Sequence, residues 1–290
     1  MRQTFPRRGG RLQRLTRRIA LAIVVAAPSA AGAQEPGTVV ASDPRVHGES
    51  YVFEDTGVDV PYALFVPSTY EASRPAPLIV ALHGLGRPYD WMMGYEGFID
   101  FAERGGYVVV SPLGYHPRGW YGSRGYGVPA GAAGRDDAAP LPENLGRLSE
   151  QDVMNVLEIA RERFNIDEDR IYLWGHSMGG AGSYHLAARY PDLWAAVAVA
   201  APAPLRERLD EVTWFRNVPV LVLHGDEDRT VPVEQSRTWV ARMRELGMQH
   251  VYVEVPGGDH SRFVSQNPET LSKVFSFFDI TNKRVRSSLR

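Results

Sequence analysis

Apolar residues fall in two alternating patterns along this chain. Short apolar runs occupy 78–82, 107–110, 170–174, 195–199, 218–223 and 250–255. Between them lie stretches with apolar residues at helical spacing: 96–104 (Phe98, Ile99, Phe101, Ala102), 149–164 (Val153, Val156, Leu157, Ala160, Phe164), 234–246 (Val240, Met243) and 268–278. Runs that are continuously apolar, rather than alternating, indicate strands buried on both faces. Ahead of them, 51–54 and 58–66 flank Asp55-Thr56-Gly57 and read as a hairpin. Pro61 inside the second run points to an edge strand or a bulge. The pattern predicts an α/β fold: a mostly parallel central sheet, helices on both faces and an antiparallel N-terminal hairpin.

Punctuation fits this order. Gly105-Gly106 ends the first helix, Ser149-Glu150-Gln151-Asp152 reads as a capping box opening the second, and residues 165–169 read as a turn. Residues 113–148 have no clear period and form an expected long loop rich in glycine, with Tyr115, Trp120, Tyr121 and Tyr126. A loop this long inside a compact domain is usually functional. Its aromatic residues, Tyr115, Trp120 and Tyr121 foremost, either wall a substrate pocket or pack as a surface loop. Asp136 and Asp137 read as turn caps.

The ends of the chain alter the domain boundaries. Residues 1–18 carry seven arginines and no acid; an apolar run over 19–27 follows, then Ala31-Gly32-Ala33. This is the layout of a secretory signal over 1–33, and the apolar run is too short to span a bilayer. Thr16-Arg17-Arg18 adds a twin-arginine export signal as a possible route. Residues 34–48 read as a loose leader, 49–282 as one catalytic domain and 283–290 as a basic tail. The expected location is secreted or periplasmic, with no stable membrane anchor after cleavage.

The whole chain of 290 residues has a net charge of −2. Loss of the seven signal arginines leaves 25 basic residues against 34 acidic ones, about −9, which argues against nucleic acid or an anionic membrane as partner. There is no cysteine, so no disulfide or thiolate metal site exists, and the core must stabilise the fold.

In a parallel sheet, ligands collect at the carboxyl ends of the strands. Three chemically suggestive segments fall there: His83-Gly84-Leu85-Gly86, Gly175-His176-Ser177-Met178-Gly179 and His224-Gly225-Asp226-Glu227-Asp228. His260 follows the last strand on a glycine loop. Strand, Gly-x-Ser-x-Gly turn and a helix of small residues form the layout of a nucleophile elbow, which marks Ser177. A serine hydroxyl needs a base, and the base needs an acid to orient it.

His260 is the expected base. His83, His176 and His224, beside motif glycines, are expected to be structural, and His176 is also a substrate-binding candidate. Asp226, Glu227 and Asp228 all qualify by position as the acid. The pattern His224-Gly225-x-x-Asp228-x-x-Val231-Pro232 favours Asp228 and leaves Asp226 to accept backbone N–H bonds in its loop. Asp259 is too close in sequence to orient His260. An oxyanion hole needs two N–H donors: Met178, directly after the serine, and Leu85, in the loop after the first buried parallel strand.

Taken together, Leu82-His83-Gly84, the Gly175–Gly180 elbow, the 224–232 stretch and Gly258-Asp259-His260 resemble the α/β-hydrolase superfamily. Within it, the chain is similar to exported bacterial esterases grouped with polyhydroxybutyrate depolymerases, feruloyl esterases and dienelactone-hydrolase-like proteins. The resemblance covers about residues 50–280. It implies an α/β-hydrolase fold and a serine carboxylesterase with nucleophile, acid and base on Ser177, Asp228 and His260. It implies no cofactor and no metal, and a small-molecule or polymeric ester as partner: aryl, short-chain or polyester. Two other expectations share the fold, a prolyl-oligopeptidase-type serine peptidase and a catalytically silent binding protein.

Overall fold

Eight strands form a single sheet in the order β1-β2-β4-β3-β5-β6-β7-β8. The structure is a computed structural model that describes residues 43–133 and 140–284. The expected signal peptide, residues 34–42 of the expected leader, Asp136, Asp137 and residues 285–290 of the expected tail lie outside the described residues. The strands are β1 (His47–Phe53), β2 (Val58–Phe65), β3 (Ala76–Leu82), β4 (Val108–Pro112), β5 (Ile166–His176), β6 (Ala196–Ala200), β7 (Val220–Gly225) and β8 (His250–Val255). β3 to β8 run parallel, and β2 is antiparallel to both β1 and β4. β1 takes in His47 and Gly48, so the sheet begins inside the segment expected to be leader.

Helices α1 (Phe98–Gly105), α2 (Leu145–Arg163), α3 (Met178–Arg189), α4 (Val233–Glu245), α5 (Arg262–Ser265) and α6 (Pro268–Ile280) surround the sheet. β3 explains why its strand reads as continuously apolar. Leu78, Val80 and Leu82 face the core under α2, α3 and α4, while Ile79 and Ala81 face the core under α1 and α6. With both faces covered there is no position for a polar residue. On the first face, Tyr184 of α3 stacks on Trp239 of α4, with centroids 4.7 Å apart. On the second, Tyr172 of β5 stacks on Phe278 of α6 at 4.5 Å. Among the described residues no helix is long and apolar enough to cross a membrane.

Pro61 pairs with Ser50 of β1, and the β4 pairing starts only at Tyr62. On the β4 side the strand is therefore an edge at Pro61, where a missing N–H costs no ladder bond.

Two local expectations are corrected. Residues 165–169 are not simply a turn: β5 starts at Ile166, opposite Ala76, and its register with β3 shifts before Leu78. The turn-like chemistry is real but local, since Asp167 accepts from the N–H of Asp169 and from Arg170 within that irregularity.

The second correction concerns the capping box, because α2 starts at Leu145. Ser149, Glu150 and Asp152 are buried inside it; Ser149 and Asp152 bind the preceding loop, while Glu150 binds His185 of α3 and the Tyr190 hydroxyl. Ser149 Oγ accepts from Tyr121 N–H at 2.9 Å. Asp152 accepts from Gly114 N–H (2.7 Å), Tyr115 N–H (2.8 Å) and the Tyr51 hydroxyl (2.6 Å). Side chains that satisfy helix-start donors in a cap serve loop donors equally well, so the sequence pattern is the same. Three 3₁₀ segments among the described residues, Trp91–Gly94, Trp120–Gly122 and Arg206–Phe215, lie outside the elements that the sequence pattern predicts.

Candidate active site

Strand register brings the site together. Leu82 of β3 lies opposite Gly175 of β5, His176 opposite Ala200 of β6, and Gly225 of β7 opposite Val255 of β8. The loops leaving β3, β5, β7 and β8 therefore emerge along one edge.

The elbow itself is tight and strained. Ser177 has φ 57° and ψ −113°, a conformation that L-residues rarely adopt. A Cβ on Gly175 would lie 2.2 Å from the Gly179 carbonyl oxygen, and one on Gly179 would lie 1.9 Å from that of Leu82. Only glycine permits this crossing of α3 over the ends of β3 and β5.

Ser177 Oγ is 3.0 Å from His260 Nε2, and His260 Nδ1 is 2.6 Å from Asp228 Oδ2. The Asp228 side chain is fully buried. Its Oδ1 accepts from Thr230 N–H (2.7 Å) and Val231 N–H (2.9 Å), and its Oδ2 also faces His224 Nε2 at 3.1 Å. Burial raises the Asp228 pKa, but the bonds from His224, His260 and the two N–H groups outweigh it, holding the carboxyl well below the ordinary carboxylate range. Asp226 accepts from Gly257 N–H at 2.7 Å and stabilises the β8 loop, while Asp259 accepts from the N–H groups of Ser261 and Arg262.

His224 and His83 are buried and bonded within the fold. The former contacts Ser236 Oγ and the Val231 carbonyl, and the latter the carbonyls of Gly84 and Leu113. The N–H groups of Leu85 and Met178 have no acceptor among the described residues. They belong to segments that meet at the serine, since a Cβ on Gly84 would lie 3.7 Å from Ser177 Cβ. Met178 also begins α3, whose free N–H groups and dipole favour negative charge there.

Ser177 and His260 open into a cavity of about 580 Å³ that Trp120 also lines. The other three substrate-binding candidates do not line it. Tyr121 is fully buried, its ring packed over α3 and its N–H held by Ser149. Tyr115 packs edge-on against Phe53 of β1, with centroids 5.0 Å apart. His176 is fully buried behind the serine. Sequence cannot separate Trp120 from Tyr121, because their directions are set by a local backbone in which both have positive φ, 62° and 51°. Several cavity residues carry no sequence motif, among them Arg87, Trp91 and Arg124; Arg87 lies three residues past Gly84, in the loop that carries the Leu85 N–H.

Sheet order and strand-end site define an α/β-hydrolase. Residues 54–271 match the profile of the Esterase family, described as "Putative esterase", and the chain belongs to that family. It is similar to a bifunctional acetylxylan esterase/xylanase of Neocallimastix patriciarum, 24% identical over 170 residues, which cover 59% of this chain and 22% of that protein. It is also similar to cutinase 1 of Thermobifida cellulosilytica, 34% identical over 98 residues, covering 34% of this chain and 36% of the cutinase. The chain thus spans about a fifth to a third of the length of these curated relatives. A solved thermostable esterase superimposes with a TM-score of 0.64 at 23% identity, over 82% of this chain and 63% of that one.

Proposed function

We propose that the protein is a serine carboxylesterase that works through an acyl-enzyme on Ser177. The observation that carries this reading is the unbroken chain from Ser177 Oγ to His260 to Asp228, opening onto the cavity beside two N–H groups that have no acceptor among the described residues.

Ser177 Oγ attacks the ester carbonyl carbon while His260 Nε2 takes its proton. Asp228 holds Nδ1–H and stabilises the imidazolium. The tetrahedral oxygen accepts from the N–H groups of Leu85 and Met178, and losing one such donor typically costs about 10²–10³ in rate. Collapse breaks the bond to the alcohol oxygen, which leaves with the proton from His260. Water then attacks the acyl-enzyme, gives its proton to His260, and Ser177 departs reprotonated with release of the acid. No cofactor enters these steps.

Aryl, short-chain and polyester esters are the proposed substrates, and the 1–33 pattern supports export to the periplasm or beyond. Turnover of 4-nitrophenyl acetate and butyrate, run beside an aminoacyl anilide and a fluorophosphonate probe, tests the reading. Ester turnover with Ser177 labelled is expected. Anilide turnover alone would move the assignment to a peptidase. No turnover, with Ser177 inert to the probe, would leave a silent hydrolase fold.

A further inference from the structure

Two arginines reach the cavity that holds Ser177 and His260, and neither takes part in acyl transfer. Arg87 leaves the loop after β3, with its guanidinium carbon 5.2 Å from the centroid of Trp91. Arg124 follows the 3₁₀ turn, with its guanidinium carbon 4.0 Å from the centroid of Trp120. Both indoles line the same cavity. The two cations, each backed by an aromatic face, thus come from different loops.

Neither cation is neutralised by a carboxylate among the described residues. Arg124 donates to the Ala203 carbonyl at 3.3 Å, and among the described residues neither guanidinium has an ion-pair partner. Burial lowers the Arg124 pKa, with Glu207 opposing the shift without forming an ion pair and Arg208 adding to it. Some other arginines of the fold are paired, among them Arg208 with Glu211 at 2.7 Å, Arg237 with Glu254 at 2.5 Å and Arg170 with Asp167 at 2.8 Å. No aspartate or glutamate lines the cavity among the described residues. On a chain of net charge −2, the reacting serine therefore faces a locally cationic, concave wall. Such a wall concentrates anions, and a guanidinium fork matches a carboxylate in shape as well as charge.

We propose, on the reading that this cavity hydrolyses esters, that its substrate carries a carboxylate besides the scissile ester. Such a substrate is a half-ester of a dicarboxylic acid or an ester whose alcohol part is an acid. The parts of Trp91 and Trp120 that line the cavity flank the apolar body between the two loops, and Arg87 and Arg124 hold the carboxylate. Hydrolysis then runs as above, with the second carboxylate unchanged.

Matched pairs test this. Mono-4-nitrophenyl adipate against methyl 4-nitrophenyl adipate places the charge on the acyl side. 4-Acetoxybenzoate against methyl 4-acetoxybenzoate places it on the alcohol side. In at least one pair, kcat/KM for the charged ester should exceed that for the neutral one by about tenfold or more, and the margin should shrink as salt is raised. Arg87→Gln and Arg124→Gln should each lower the charged-to-neutral ratio about tenfold, and Arg124→Lys should recover part of it. The proposal is overturned if the neutral ester is preferred or equalled in both pairs, or if neither substitution moves the ratio.

Turnover of the neutral esters reports Ser177 independently, so loss of esterase activity is distinguishable from loss of anion preference. If no ester is turned over, binding to Ser177→Ala decides. Monomethyl adipate should bind more tightly than dimethyl adipate, and equal binding overturns the proposal.

Discussion

His176 Nε2 lies 2.8 Å from the backbone carbonyl of His260, so the residue before the serine holds the main chain of the histidine facing that serine. The imidazole is fixed on its other sides too. The Tyr95 hydroxyl bonds Nδ1, and the Trp91 ring stacks on it with centroids 5.2 Å apart. One neutral tautomer satisfies both contacts, with Nε2–H donating to the carbonyl and Nδ1 accepting from the tyrosine. His176 is thus a positioning residue, and its burial explains why it cannot touch substrate.

Replacing it should misplace His260 without removing it. His176→Phe keeps a ring against Trp91 but loses the donor, and kcat should fall by about tenfold, roughly one net hydrogen bond, with KM little changed. His176→Gln, which can still donate to the carbonyl, should recover most of the rate. Steady-state kinetics on 4-nitrophenyl butyrate checks both. Equal losses in the two variants, or a change confined to KM, would remove the positioning role.

The same burial makes His176 a source of acid sensitivity. Burial first, and then the neighbouring His260, pull its pKa down to about 3. The unfolded chain takes up this proton below about pH 6.5, while the folded chain refuses it until about pH 3. Between those values the unfolded state binds more protons, so this contribution is complete above pH 6.5 and is lost as pH falls. Relative to His176→Gln, the wild type should lose on the order of 2–3 kcal/mol of unfolding free energy between pH 7.5 and 4.5. Urea titrations of both proteins at the two pH values measure it, and a pH-independent difference would contradict the buried neutral imidazole.

Two aspartates in one loop should separate by function. Asp228→Asn leaves His260 Nδ1 without a carboxylate, and kcat should fall by about 10²–10⁴. Among the described residues the Asp226 side chain bonds only the Gly257 N–H, so Asp226→Asn should stay within about tenfold of wild type. Measured kcat values in the reverse order would move the acid assignment.

Asp152 ties Gly114 and Tyr115, in the loop after β4, to α2, though it lies far from the chemistry in sequence. Asp152→Ala would strip buried acceptors from Gly114 N–H, Tyr115 N–H and the Tyr51 hydroxyl. Each unsatisfied group costs about 1–3 kcal/mol, so a loss of at least about 3 kcal/mol is expected in denaturant unfolding, together with a raised KM as Trp120 loosens. A loss below 1 kcal/mol with unchanged KM would show that the loop is held elsewhere.

These cases show what the sequence could carry. Period and punctuation place the strands because burial on both faces leaves a continuous apolar run, as in 78–82, and strand ends then gather Ser177, Asp228 and His260. The capping-box pattern at Ser149 misleads because the same side chains serve loop donors. Trp120 and Tyr121 look alike in sequence, yet one lines the cavity and the other is core, since strained φ angles decide their directions. Arg87 and Arg124 carry no motif at all; only the fold shows that two distant loops bring them to one wall.

The proposed function rests on Ser177 as the nucleophile of ester hydrolysis. The most direct measurement is 4-nitrophenyl butyrate turnover by wild type and Ser177→Ala, with far-ultraviolet circular dichroism confirming that both are folded. Turnover by the wild type and a loss of at least about 10³-fold in kcat for the variant are expected. Comparable kcat in the two proteins would contradict the account.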